Sequence, residues 1–104
     1  MILVFTSTAE AQFDHQMAYS RARYGETTAF KTFTRVDSFL ANLTVQPRIG
    51  TRLDNGLYES PIPRTPFVIL YRLEPPLPAP TAIVRILGFF HGAQDRSDSA
   101  PDEG

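Results

Sequence analysis

Residues 64–95 read RTPFVILYRLEPPLPAPTAIVRILGFFHGAQD, and two strands with a stiff join account for most of that stretch. Phe67–Leu73 and Ile83–Phe90 are apolar runs rather than clean alternations, the pattern of strands covered on both faces with a strand on either side. They belong at the centre of a sheet. The join, Glu74 to Pro80, holds Pro75, Pro76, Pro78 and Pro80, which lack the N–H that a ladder requires. The pair is therefore expected to be an antiparallel hairpin closed by a stiff loop.

Upstream of the hairpin the period changes. Ile2 to Thr6 is a short β-rich run, and Ser7 with Glu10 three residues later forms a capping-box signature, so a strand hands over directly to a helix. Phe13, Met17, Ser20 and Tyr24 recur at helical spacing and form one stripe. Gly25 stops that helix and Glu26-Thr27-Thr28 restarts it. Phe30, Phe33, Val36, Leu40 and Leu43 then carry the period until Pro47 forbids continuation. Gln46 to Arg52 is loop-like, Asp54-Asn55-Gly56 signals a turn, and Leu57–Ser60 is a short strand limited by Pro61 and Pro63. The order β-α-α-β-β-β implies an α+β domain, with a helical hairpin packed on one face of a small mostly antiparallel sheet. Phe13, Met17, Phe30, Phe33, Leu40 and Leu43 are expected to meet Ile69 and its neighbours in one core.

Length and charge bound the function. At 104 residues there is room for one domain, taken as 1–95, and for one site. Residues 96–104 have no large apolar side chain and are expected to form a flexible acidic tail. The net charge is −1. Residues from Asp95 onward carry −3, which leaves +2 on the rest by difference, too faint for a protein that lives on phosphate contacts. With no cysteine there is no thiolate nucleophile, disulfide or cysteine metal site. No metal-ligand spacing, Gly-rich phosphate loop or nucleophile elbow occurs, so no cofactor and no metal is expected. No run approaches a membrane span, and a cytoplasmic protein without membrane contact is the expectation.

The element order, the Gln46-Pro47-Arg48-Ile49-Gly50 junction, the Phe67–Arg72 strand ending in Leu-Tyr-Arg, and Ile86-Leu87-Gly88-Phe89-Phe90-His91-Gly92-Ala93-Gln94-Asp95 together resemble the RelE/ParE family of bacterial toxins over roughly residues 1 to 95. The resemblance implies a plasmid-stabilisation type of toxin neutralised by a cognate antitoxin, with a toxin–antitoxin heterotetramer as one possible assembly. It also implies one of two targets, DNA gyrase for a ParE-like protein, or ribosome and messenger RNA for a RelE-like endoribonuclease. Many members carry arginine where this chain has Tyr58, Pro66, Gly88 and Gln94. Those four losses weaken phosphate chemistry and place the chain nearer ParE. As target-binding residues the resemblance offers Tyr58, Arg64, Tyr71, Arg72, His91 and Gln94. In the endoribonuclease alternative His91, Arg85, Arg64 and Glu59 would be catalytic. A degenerate member that has lost toxicity is the remaining alternative.

Each of these residues also has a structural role open to it. His91 would serve as a hydrogen-bonding side chain, and Tyr58 and Tyr71 would pack with exposed hydroxyls. Arg72 and Arg85 would reach solvent or a carboxylate such as Glu59 or Glu74. A groove and an open sheet edge would suit an acidic or mixed amphipathic antitoxin segment that folds on binding as a helix or an added strand.

Overall fold

The computed structural model describes residues 2–74 and 82–92. Strand β1 (Ile2–Phe5) leads into α1 (Ser7–Tyr24), then α2 (Glu26–Leu43), β2 (Thr51–Arg52), a single 3₁₀ turn (Asp54–Gly56), β3 (Leu57–Pro61), β4 (Phe67–Glu74) and β5 (Ile83–His91). The five strands form one sheet in the order β1-β5-β4-β3-β2. Every pairing is antiparallel except β1 with β5. The two long apolar strands are thus central, each with a strand on both sides. The Pro75–Pro80 part of the join, residue 94 and the 96–104 tail lie outside the described residues.

The helix boundaries follow from local chemistry. Thr6, in extended conformation, is the N-cap of α1, and its side-chain oxygen accepts from the Ala9 N–H at 3.1 Å. The expected cap was Ser7; in the run Thr6-Ser7-Thr8 any member can cap, and the strand's last bond, Thr6 N–H to the Ile86 carbonyl, places Thr6 at the boundary. Gly25 separates the helices at φ +93°, a conformation that costs glycine no steric clash.

The core lies between the sheet and the helical hairpin, with Ala9, Met17, Val36, Leu40 and Leu43 meeting Tyr58, Ile69, Tyr71, Val84, Ile86 and Phe89. Two aromatics depart from the expected stripe. Phe30 is 69% exposed and Phe33 42%; α2 turns Ala29, Thr32, Val36, Leu40 and Leu43 inward instead. Ala29 and Thr32 are small side chains, as is buried Ser20 on α1. Tyr24, at the end of the α1 stripe, is likewise exposed.

The register of β4 with β5 slips by one residue between Leu70 and Tyr71. Val84 and Ile86 face the helices opposite Leu73 and Tyr71. Leu87 is then the extra residue of a bulge, so Phe89 and His91, opposite Ile69 and Phe67, take over the helix-facing positions. Gly88 and Phe90 fall on the helix-free face, where the Phe90 ring lies so near Gly88 that a Cβ there would meet it at 2.6 Å.

Candidate functional site

At one end of the helix-free face, Arg72 and Arg85 sit directly opposite each other in the β4–β5 register. Two guanidinium groups so placed repel. Glu74, two residues along the same face, relieves the repulsion by accepting from Arg85 Nε at 2.8 Å and from Arg72 Nε at 2.6 Å. These hydrogen bonds, Arg85's first, hold the Glu74 carboxyl below the usual carboxylate range. The carboxylate expected to meet both arginines is therefore Glu74, a strand residue rather than part of the loop.

The other end of the sheet holds His91 and Arg64. His91 stands edge-on to Phe67, with ring centroids 5.8 Å apart, and lines a shallow cleft with His15, Gln16 and Tyr19 of α1. Arg64 lies in the β3–β4 turn at φ +62°, and its carbonyl accepts from Arg35 Nη1 at 3.3 Å. Six residues of strand, about 20 Å, separate His91 from Arg85, and the bulge puts them on opposite faces. Glu59 lies in β3 opposite Leu70 on the helix-free face. His91, Arg64, Arg85 and Glu59 therefore do not converge on one substrate position. Gln94 is outside the described residues.

Tyr58 and Tyr71 are both buried, against the expectation of exposed hydroxyls, and their rings stack at 5.3 Å. The Tyr71 hydroxyl donates to the Pro47 carbonyl at 2.8 Å and accepts from the Gly50 N–H at 3.0 Å. That latch explains the Pro47–Gly50 junction: a Cβ at Gly50 would lie 2.7 Å from the Tyr71 oxygen. Burial raises the Tyr71 pKa above its usual value, against the opposing Gly50 hydrogen bond. Beside the stacked pair, Arg48, Arg52 and Arg72 line a cleft with Asn55, Gly56, Tyr58 and Leu73, and no carboxylate is among the lining residues.

The Glu74 and Tyr71 shifts set opposite limbs of the pH–stability curve. Glu74 is depressed below 4.5 on folding, so its contribution is present above that pH and lost as pH falls through the folded value. Tyr71 is raised above 10.0; its contribution is complete below pH 10.0 and lost as pH rises through the folded value. Thermal midpoints measured across pH should show Glu74→Gln flattening the acid limb and Tyr71→Phe the alkaline limb. Curves that stay parallel to wild type would contradict both assignments.

Sequence reasoning did not locate the apolar surface on the helical hairpin. Phe13, Met17, Ala29, Phe30 and Phe33 line a trough between the helices. A second cleft, sharing Phe13 and Phe33, continues it past Leu3 and Phe5 to Leu40. β1 is the edge strand beside it. The sequence pattern places Phe30 and Phe33 in the core, whereas the structure exposes both.

The chain is a helical hairpin on one face of a five-stranded sheet, with an apolar trough beside the edge strand β1 among the described residues. The sequence profile of the ParE toxin of type II toxin–antitoxin systems, parDE, matches residues 3–96. The chain belongs to that family, which implies a cognate antitoxin as partner. Among solved structures the fold is similar to one from the chromosomal ParDE toxin–antitoxin system of P. aeruginosa, at TM-score 0.67 and 20% identity over 88% of this chain and 95% of that one. It is also similar to the YoeB/ParE toxin from Agrobacterium tumefaciens, at TM-score 0.58 and 13% identity over 88% and 98%. No curated protein matches the chain. Among the described residues no helix is long and apolar enough to cross a membrane, and no cluster of three metal-ligating side chains occurs.

Proposed function

We propose that this ParE-family toxin acts in the cytoplasm by binding and inhibiting DNA gyrase, with no hydrolytic step, and that its cognate antitoxin holds it inactive in a toxin–antitoxin heterotetramer. The observation that carries this reading is the separation of Arg85 from His91. A ribonuclease of this fold needs a proton donor or acceptor and cations gathered around one phosphate. Here Arg85 is taken up with Arg72 and Glu74 at one end of the sheet, and His91 packs against Phe67 at the other. Target-binding roles for Tyr58, Arg64, Tyr71, Arg72, His91 and Gln94 belong to the same proposal; the burial of Tyr71 and Tyr58 makes these two supports of the surface rather than its contact points.

Inducible expression of the untagged chain in bacteria should arrest growth, and co-expression of its operon neighbour should restore it. Unimpaired growth at matched protein levels would favour the degenerate, non-toxic member instead.

A further inference from the structure

Beside the stacked tyrosines, at the end of the sheet remote from His91, a cleft of about 200 Å³ gathers Arg48, Arg52 and Arg72 with no carboxylate in its lining. Arg72 is already engaged, its Nε donating to Glu74 at 2.6 Å. Arg48 and Arg52 are not: neither takes part in an ion pair or a side-chain hydrogen bond among the described residues. Asp54, beside Asn55 in the 3₁₀ turn, is not among the lining residues. The backbone that carries the two cations is fixed. The Tyr71 hydroxyl bonds the Pro47 carbonyl and the Gly50 N–H, and so pins the chain on either side of Arg48. Arg52 stands opposite Tyr58 in the β2–β3 register, on the face that bears the tyrosine stack. Guanidinium groups gathered without a counter-charge repel, and an anion in the cleft relieves that repulsion.

We infer that this cleft binds a single phosphate group, held by the Arg48 and Arg52 guanidinium groups. The planar fork of arginine matches phosphate oxygens with paired hydrogen bonds, and here it has no existing partner to give up. A base or other aromatic group is the wrong ligand: Tyr58 is buried with its ring stacked on Tyr71, which leaves no ring in the lining open to stack upon. The volume is also below that of sites enclosing drug-sized ligands and suits a small anion. The role is binding and not hydrolysis, because the lining holds no histidine or carboxylate to move a proton. A free phosphate and a phosphodiester of DNA present the same oxygens to the two arginines. The inference goes beyond the gyrase reading and does not rest on it.

The test uses the purified full chain at low salt with two probes, inorganic pyrophosphate and a fluorescein-labelled DNA duplex of roughly 20 base pairs. Pyrophosphate should raise the thermal midpoint of wild type. Duplex anisotropy should give an affinity whose logarithm falls with log salt at a slope of about −2, roughly one for each arginine contact. The Arg48→Gln, Arg52→Gln double variant, both at exposed positions, should melt at or above the wild-type midpoint without phosphate, lose the pyrophosphate shift and bind the duplex about tenfold more weakly. Lys31→Gln, at an exposed position of α2, should leave both responses unchanged. A pyrophosphate shift without duplex binding assigns the cleft to free phosphate, and duplex binding that pyrophosphate displaces assigns it to the DNA backbone; either carries the inference. No response to either probe, responses that persist in the double variant, a double variant that melts well below wild type, or a glutamate-rich peptide that competes as well as pyrophosphate overturns it. Gyrase is in neither arm. Gyrase inhibition by a chain without a phosphate response leaves the proposed function standing, and a phosphate response without gyrase inhibition overturns that function alone.

Discussion

Replacing Phe89 with alanine is expected to cost about 3–5 kcal/mol of stability, the usual penalty for emptying a buried phenylalanine site. A domain of this kind has only about 5–15 kcal/mol to lose. Phe89 is 1% exposed and stands at the centre of the aromatic packing, 4.9 Å from the Phe67 ring and 5.2 Å from the Phe13 ring. Its backbone N–H is held from outside the sheet by the Gln12 side-chain oxygen at 2.8 Å, so the residue ties α1 to β5 twice. Its neighbour Phe90 lies on the helix-free face, half-buried over Gly88, and Phe90→Ala should cost about 1 kcal/mol. The contrast tests the bulge as well as the core. Without the extra residue at Leu87, the alternation begun at Val84 and Ile86 would carry Gly88 and Phe90 into the core and turn Phe89 outward. Urea denaturation should show the midpoint falling steeply for Phe89→Ala and little for Phe90→Ala, with slopes unchanged. The reverse ranking would mean that the register of β5 is wrong.

Much of this fold is legible in the sequence because its strongest signals are local. The runs Phe67–Leu73 and Ile83–Phe90 are too continuously apolar for edge strands. Gly25 punctuates two helical periods; α1 fills the span from Ser7 to Tyr24, and α2 starts at Glu26 and ends at Leu43, four residues short of Pro47. Tertiary choice is what escapes. On α2 two adjacent stripes compete, one marked by Phe30 and Phe33 and the other by Ala29, Thr32 and Val36. Ranking by hydrophobicity picks the aromatics, whereas the fold buries Ala29, Thr32 and Val36. The Leu87 bulge leaves no trace beyond the neighbouring Gly88, and it decides which face His91 occupies.

The candidate site was legible in part for the same reason. That Arg72 and Arg85 would need a carboxylate follows from their apolar neighbours, and Glu74 was one of two residues in reach. That Tyr71 would bury its hydroxyl does not, because its partners, the Pro47 carbonyl and the Gly50 N–H, are backbone groups more than twenty residues away. His91 and Arg85 lie on one strand about 20 Å apart, and the bulge between them sets them on opposite faces.

The second large effect expected concerns the target, and it is close to all-or-none. On the proposed reading, Arg85 is held by Glu74 at the far end of the strand from His91 and does not flank a phosphate placed beside that histidine, as a phosphate transition state would need. The mode of action proposed is binding, relieved by the cognate antitoxin. The most direct measurement is a paired assay on the purified toxin: supercoiling of relaxed plasmid by DNA gyrase, and cleavage of messenger RNA held in the ribosomal A site. Loss of supercoiling at micromolar toxin, relieved by adding the antitoxin, with the ribosome-bound RNA intact, is the predicted result. Cleavage of that RNA that disappears in His91→Ala or Arg85→Ala, with both variants folded and supercoiling untouched by wild type, would contradict it.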